Sequence, residues 1–206
     1  TAAARWSDLA PRVASGVAMA AVGAGAIWAG GLIFFSLLCA LGGLLVWESA
    51  RLFGSAAPER AGITGALALV LALWLPGVFV LPLLAAAVLV NTETVARARA
   101  PFAALALWAL IGTWVIGDLR AGAGLLWVLW LVLIVIVSDV AGYFAGKALG
   151  GPKFWPRISP KKTWVGTVAG WIGAACVGAA FAGPLGAGTG LIAVSVLVGF
   201  AGQMGD

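Results

Sequence analysis

The run from Leu125 to Val137 is apolar at every position. A half-buried strand, or a strand of a membrane barrel, would alternate apolar and polar residues, so this run reads as a helix that is apolar all round. The rest of the chain repeats the pattern. Hydrophobic residues fill 63% of the 206 positions and charged residues 9%, more apolar surface than a water-soluble core of this size can hide. Disorder needs the opposite composition, with low hydrophobicity and high net charge. Lipid is therefore the expected solvent, and inside lipid a helix satisfies its own backbone groups. The expected fold class is all-α, a polytopic transmembrane helix bundle.

At ~20 residues per crossing the chain divides into about eight spans, near 13–30, 32–49, 61–75, 77–95, 101–117, 122–147, 163–183 and 187–206. Pro76-Gly77 and Pro82 interrupt the third and fourth, which leaves a single broken helix open there. Basic residues recur at every second gap: Arg5 and Arg12, then Arg51 and Arg60, then Arg97 and Arg99, then Lys147, Lys153, Arg157, Lys161 and Lys162. The gaps between them lack lysine and arginine except for Arg120, which with Asp118 reads as an exposed external turn. The positive-inside rule then places the amino terminus and the Lys147–Lys162 gap in the cytoplasm. On this reading the net charge of +5 is a topology signal, and no nucleic-acid partner is expected. Arg5, Asp8 and Arg12 lead straight into the first span without a cleavage site, so that helix is expected to be retained. No repeat of fixed period is visible. Residues 1–206 are read as one membrane domain, with N-terminal helices over 1–100 and the helices and cytoplasmic loop of the active-site half over 101–206.

Chemistry concentrates near one end of the sixth and eighth spans. The chain has no histidine, which excludes a His-ligated zinc site and a Ser-His-Asp triad and leaves oxygen ligands for any metal. Asp139 follows the apolar run inside a span, where a carboxylate is costly unless it faces protein, water or a cation. Asp139, Gly142, Tyr143, Gly146 and Lys147 share one helical face. Gly142 and Gly146 also form a GxxxG pair, so a packing seam with Asp139 paired to a lysine is the alternative reading of that face. The following loop holds Lys153, Arg157, Lys161 and Lys162 among three prolines and the aromatics Phe154 and Trp155. Its lysines could simply anchor anionic headgroups, but the stiffening residues fix where they point, which suits a polyphosphate. Ser159-Pro160 leading into Thr163 resembles a helix start, whose free N–H groups favour an anion. Gly199, Gly202, Gln203 and Asp206 share a face of the last span. Asp139 and Asp206 are thus expected on one side of the membrane, where two carboxylates can hold Mg²⁺ against substrate phosphates.

The ordered set Asp139-x-x-Gly142-Tyr143, Gly146-Lys147, Ser159-Pro160-x-Lys162-Thr163-Trp164-x-Gly166 and Gly205-Asp206 resembles the phosphatidate cytidylyltransferases, the CDP-diacylglycerol synthases of bacteria. The resemblance extends over essentially the whole chain and implies transfer of the cytidylyl group of CTP to phosphatidic acid, with release of pyrophosphate and a need for Mg²⁺. It implies Asp139, Lys162 and Asp206 as catalytic residues, with the two aspartates on the metal, and Tyr143, Lys147, Ser159, Thr163 and Trp164 as substrate contacts, to which the reading of the basic loop adds Lys153 and Lys161. A multi-pass protein of the bacterial inner membrane is implied, with its site facing the cytoplasm, membrane lipid as a partner and a homodimer as one expected assembly. Val140, Gly142 and Lys161 depart from the family pattern. The family's acidic, glycine-rich signature would follow Asp206, so these 206 residues alone are expected to be inactive and the native protein to be longer. A secondary transporter with an intramembrane aspartate, or another CTP-dependent lipid phosphotransferase, are the competing readings.

Overall fold

The computed structural model describes residues 9–156 and 159–205. Among them are eight helices: α1 (Leu9–Ala29), α2 (Gly31–Leu52), α3 (Pro58–Ala72), α4 (Gly77–Thr92), α5 (Arg99–Gly122), α6 (Leu125–Leu149), α7 (Trp164–Ala182) and α8 (Gly190–Gly205). A hairpin of β1 (Lys153–Trp155) and β2 (Ser159–Thr163) joins α6 to α7. The chain is a helical membrane protein. Four helices, α2, α5, α6 and α7, are long and apolar enough to cross a bilayer. The 15 residues of α3 and 16 of α4 and α8 reach only about 22–24 Å, short of a hydrocarbon core of ~30 Å.

The chain forms two compact units, Thr1–Ala123 and Gly124–Asp206. In the first, α2 packs against α3 and α5, and α4 closes on α3 and α5. The α2–α3 crossing is backbone on backbone: a Cβ on Gly43 would lie 2.9 Å from the Gly62 carbonyl oxygen, and one on Gly62 2.9 Å from that of Gly43. Around it Val46, Leu69, Leu84, Phe102 and Leu110 form a dry core. Pro76 caps α4, so the apolar region at 61–95 is two helices, with Pro82 accommodated inside the second. The segments after α2 and α4 are stitched together by Ser55 Oγ to Thr94 Oγ1 at 2.8 Å and by Ala56 N–H donating to the Thr94 carbonyl at 2.9 Å. Two of the basic gaps therefore share one end of this unit.

The expected external turn at Asp118 and Arg120 is corrected: α5 runs through both to Gly122, since nothing at Gly117-Asp118 breaks a helix. Gly124, at φ +96°, breaks the chain before α6. Arg120 reaches back to α1, donating from Nε to the Ile27 carbonyl at 3.0 Å and from Nη2 to the Trp28 carbonyl at 3.4 Å. It thus satisfies carbonyls that the helix end leaves open.

In the second unit α7 packs against both α6 and α8, over a core of Trp130, Ile134, Ala174, Val177 and Leu191. Trp130 Nε1 donates to Ser195 Oγ at 3.0 Å, and Ser195 Oγ donates to the Leu191 carbonyl at 2.7 Å, so the indole is buried without an orphan donor. At the other end of the unit, α6 and α7 touch main chain to main chain. A Cβ on Gly166 would stand 2.6 Å from the Gly142 carbonyl oxygen. The connector read as an irregular loop is partly a strand pair, which adds a small sheet to the helical fold. Ser159-Pro160 belongs to β2 rather than to a helix start, and α7 begins at Trp164. Thr163 is its N-cap, with Oγ1 accepting from Gly166 N–H at 3.2 Å.

Candidate functional site

The C-terminal half of α6, the N-terminal turns of α7 and the end of α8 surround a cavity of about 500 Å³, within the ~300–1,000 Å³ usual for small-ligand sites. The face read from the sequence of α6 lies on it, since Asp139, Gly142, Tyr143, Gly146 and Lys147 all line it. The opposite wall comes from Lys162, Thr163, Gly166 and Thr167, and Gln203 closes the end. Gly142 lies against Gly166, as a GxxxG seam would, and the same helical face opens onto the cavity.

Each charged group is placed by a local device. Lys162 ends β2, and its Nζ donates to the Gln203 carbonyl, where a cation meets the negative end of the α8 dipole. Lys147 lies one turn beyond Tyr143 on α6, with Nζ 3.5 Å from the Tyr143 hydroxyl and 5.6 Å from its ring centroid. The cation is thus held over an aromatic face. Thr163 is buried, and besides capping α7 its carbonyl accepts from Thr167 Oγ1 at 3.0 Å. The positive end of α7 borders the same space. Two lysines against the Asp139 carboxylate leave the charged lining net positive, which suits a ligand with several phosphates.

Other residues singled out in the sequence lie elsewhere. Lys153 is exposed on β1, Ser159 is half-buried on β2 and Trp164 is exposed at the start of α7, and the three do not line the cavity. Trp164 packs edge-on against Phe154 at 4.7 Å between centroids, and Phe154 against Trp155 at 6.3 Å. These rings brace the hairpin that carries Lys162. Asp206, the side chain of Lys161, and Arg157 lie outside the described residues. Of the other lining residues, Ser138 and Thr167 had no part in the sequence reading, and Gln203 entered it only as a neighbour on the Asp206 face. Their signal was a polar side chain inside an apolar helix, and for the two hydroxyl residues it was weak, because each bonds its own helix at the Val135 and Thr163 carbonyls.

Among the described residues no three His, Cys, Asp or Glu side chains cluster as a metal site, and Asp139 is the one carboxylate on the cavity. That donor set fits Mg²⁺, which binds through one or two carboxylates and completes its shell with water and substrate phosphates. It does not suit a cation needing an all-protein cage.

A bundle of apolar helices with a positively charged cavity at the helix ends defines a membrane protein with a space of small-ligand size. The chain belongs to the cytidylyltransferase family, whose sequence profile matches residues 10–206. It is similar to the phosphatidate cytidylyltransferase of Brucella suis, 40% identical over 81 residues, which are 38% of this chain and 30% of that protein. It is also similar to that of Chlamydia muridarum, 36% identical over 91 residues, 40% of this chain and 30% of the relative. A third relative, the phosphatidate cytidylyltransferase of Rickettsia bellii, is 42% identical over 52 residues, 25% of this chain and 22% of that protein. In these alignments the chain covers less than a third of each relative's length. No solved structure matches it.

Proposed function

We propose that this protein is a phosphatidate cytidylyltransferase, joining the cytidylyl group of CTP to phosphatidic acid. The carrying observation is that Asp139 and Lys147 of α6 and Lys162 and Thr163 of the hairpin meet around one cavity at the end of the helical unit. In the reaction a phosphate oxygen of phosphatidate bonds to the α-phosphorus of CTP. The bond from that phosphorus to the bridging oxygen of the β-phosphate breaks, and pyrophosphate leaves with its electron pair. Such a transfer asks for alignment and charge neutralisation rather than a histidine base. Lys162 and Lys147 supply positive charge to the triphosphate, and the α7 N-terminus adds a fixed dipole. Tyr143 holds Lys147 toward the cavity. Asp139 would hold Mg²⁺, with Asp206 as its proposed second carboxylate, and the ion when bound would neutralise phosphate charge.

Placement at helix ends favours a reaction at the membrane surface, where a lipid headgroup and a water-soluble nucleotide can meet, over a transport path near the midplane. Alternation of the basic gaps supports a site facing the cytoplasm from a bacterial inner membrane. Radiolabelled CTP offered to the full-length protein with phosphatidic acid, or with a polyprenol, tests the assignment. Label should enter CDP-diacylglycerol alone. Label in the polyprenol product, or in neither, refutes it.

A further inference from the structure

Gln203 is 9% exposed, and its side chain forms part of the cavity wall. Its Nε2 faces the Thr167 carbonyl at 3.5 Å. A carbonyl only accepts, so Oε1 is the end of the amide left over, and it is buried with no hydrogen-bond partner. The other buried polar side chains of the cavity are all satisfied: Ser138 and Thr167 donate to helix carbonyls and Thr163 accepts from Gly166 N–H. Space for the amide is made by a neighbour, since a Cβ on Gly170 would fall onto Nε2. An apolar side chain of equal length would fill that space without leaving an acceptor unmet, so the unmet Oε1 asks for a partner.

The chemistry of that partner follows from the acceptor. A neutral carbonyl oxygen repels phosphate oxygens and takes an N–H or O–H donor or a cation. CTP offers such donors on the 4-amino group of its base and on its ribose hydroxyls, whereas the glycerol esters of phosphatidate offer acceptors only. The terminal torsion of a glutamine is broad and roughly two-fold, so the amide can turn Oε1 toward a bound donor. We infer that Gln203 is a specificity-determining residue whose Oε1 accepts a hydrogen bond from an amino or hydroxyl donor on the nucleotide. This rests on the CTP-dependent reading above and deepens it.

The test uses the full-length protein and compares kcat/KM and binding for CTP with 2′-deoxy-CTP and 3′-deoxy-CTP, each lacking one hydroxyl, and with UTP, which replaces the 4-amino donor by a carbonyl and moves a donor to N3. The unmodified protein should lose about tenfold with one of the three, the scale of a single neutral hydrogen bond. Gln203→Met should lower efficiency with CTP by a similar factor and no longer distinguish that analogue from CTP, with the other ratios unchanged. Gln203→Asn, which withdraws the amide by a methylene, gives the same comparison if thermal unfolding shows the methionine variant misfolded. No discrimination by the unmodified protein, or an equal loss with all four nucleotides in the variant, overturns the role of Gln203 and leaves the proposed function standing. Failure of the unmodified protein to turn over CTP removes both.

Discussion

Gly166→Ala probes the seam on which the site is built. The new Cβ would stand 2.6 Å from the Gly142 carbonyl oxygen, where ordinary contact begins at 3.4 Å, so α6 and α7 must separate locally by about 0.8 Å. Both partners are main-chain or directly attached atoms, and no flexible side chain can turn aside. Overpacking of this kind costs about 1–3 kcal/mol, against roughly 1 kcal/mol gained from the better helix propensity of alanine. The clash wins, for a net loss on the order of 1 kcal/mol. Gly142→Ala should cost less, because its Cβ would meet the Gly166 carbonyl oxygen at 3.1 Å, and Gly202→Ala, with nothing within 4 Å, should be neutral or slightly stabilising. Unfolding of the three variants in mixed detergent micelles measures the series. A Gly166→Ala protein as stable as Gly202→Ala would show that the helices do not touch there, and the cavity wall would have to be redrawn.

Asp139→Asn and Lys162→Ala should each lower kcat/KM about 10–100-fold, the scale of a hydrogen bond to a charged group, while thermal unfolding shows both folded; retained activity in both removes the assignment. Lys147→Ala should raise the KM for CTP and Lys153→Ala should leave it unchanged, since the first lines the cavity and the second does not; steady-state kinetics on the pair decides. Ser195→Ala leaves the buried Trp130 Nε1 without its acceptor and should cost about 1–3 kcal/mol of stability. Its kcat/KM per folded molecule should equal that of the unmodified protein.

Apolar runs made the helices legible, because lipid demands long unbroken stretches and each gap carries Gly, Pro or charge. The ends were less so. Leu52 and Gly122 lie beyond the expected stops at 49 and 117, since a charged residue does not end a helix that has reached the bilayer surface. The hairpin was hidden by its size: Lys153–Trp155 is too short to show alternation, and Pro160 within Ser159–Thr163 argues against a strand unless it lies on an edge, as it does in this two-stranded sheet. Helical spacing was enough to place Asp139, Tyr143 and Lys147 on one wall. The opposite wall needs α7 to return at a particular depth, which the Gly142–Gly166 approach sets and no local pattern states. Gln203 went unassigned because its meaning lies in an acceptor left over after packing, a three-dimensional fact.

Arg120 carries a lesson about biogenesis. Its hydrogen bonds to the Ile27 and Trp28 carbonyls span 93 and 92 residues of chain, so the exit of the first helix stays open until the fifth has left the ribosome. Without α5 the first helix keeps its packing on α2 but loses these two bonds. The guanidinium is thus a tie between the exit of α1 and the end of α5 that needs both helices in place.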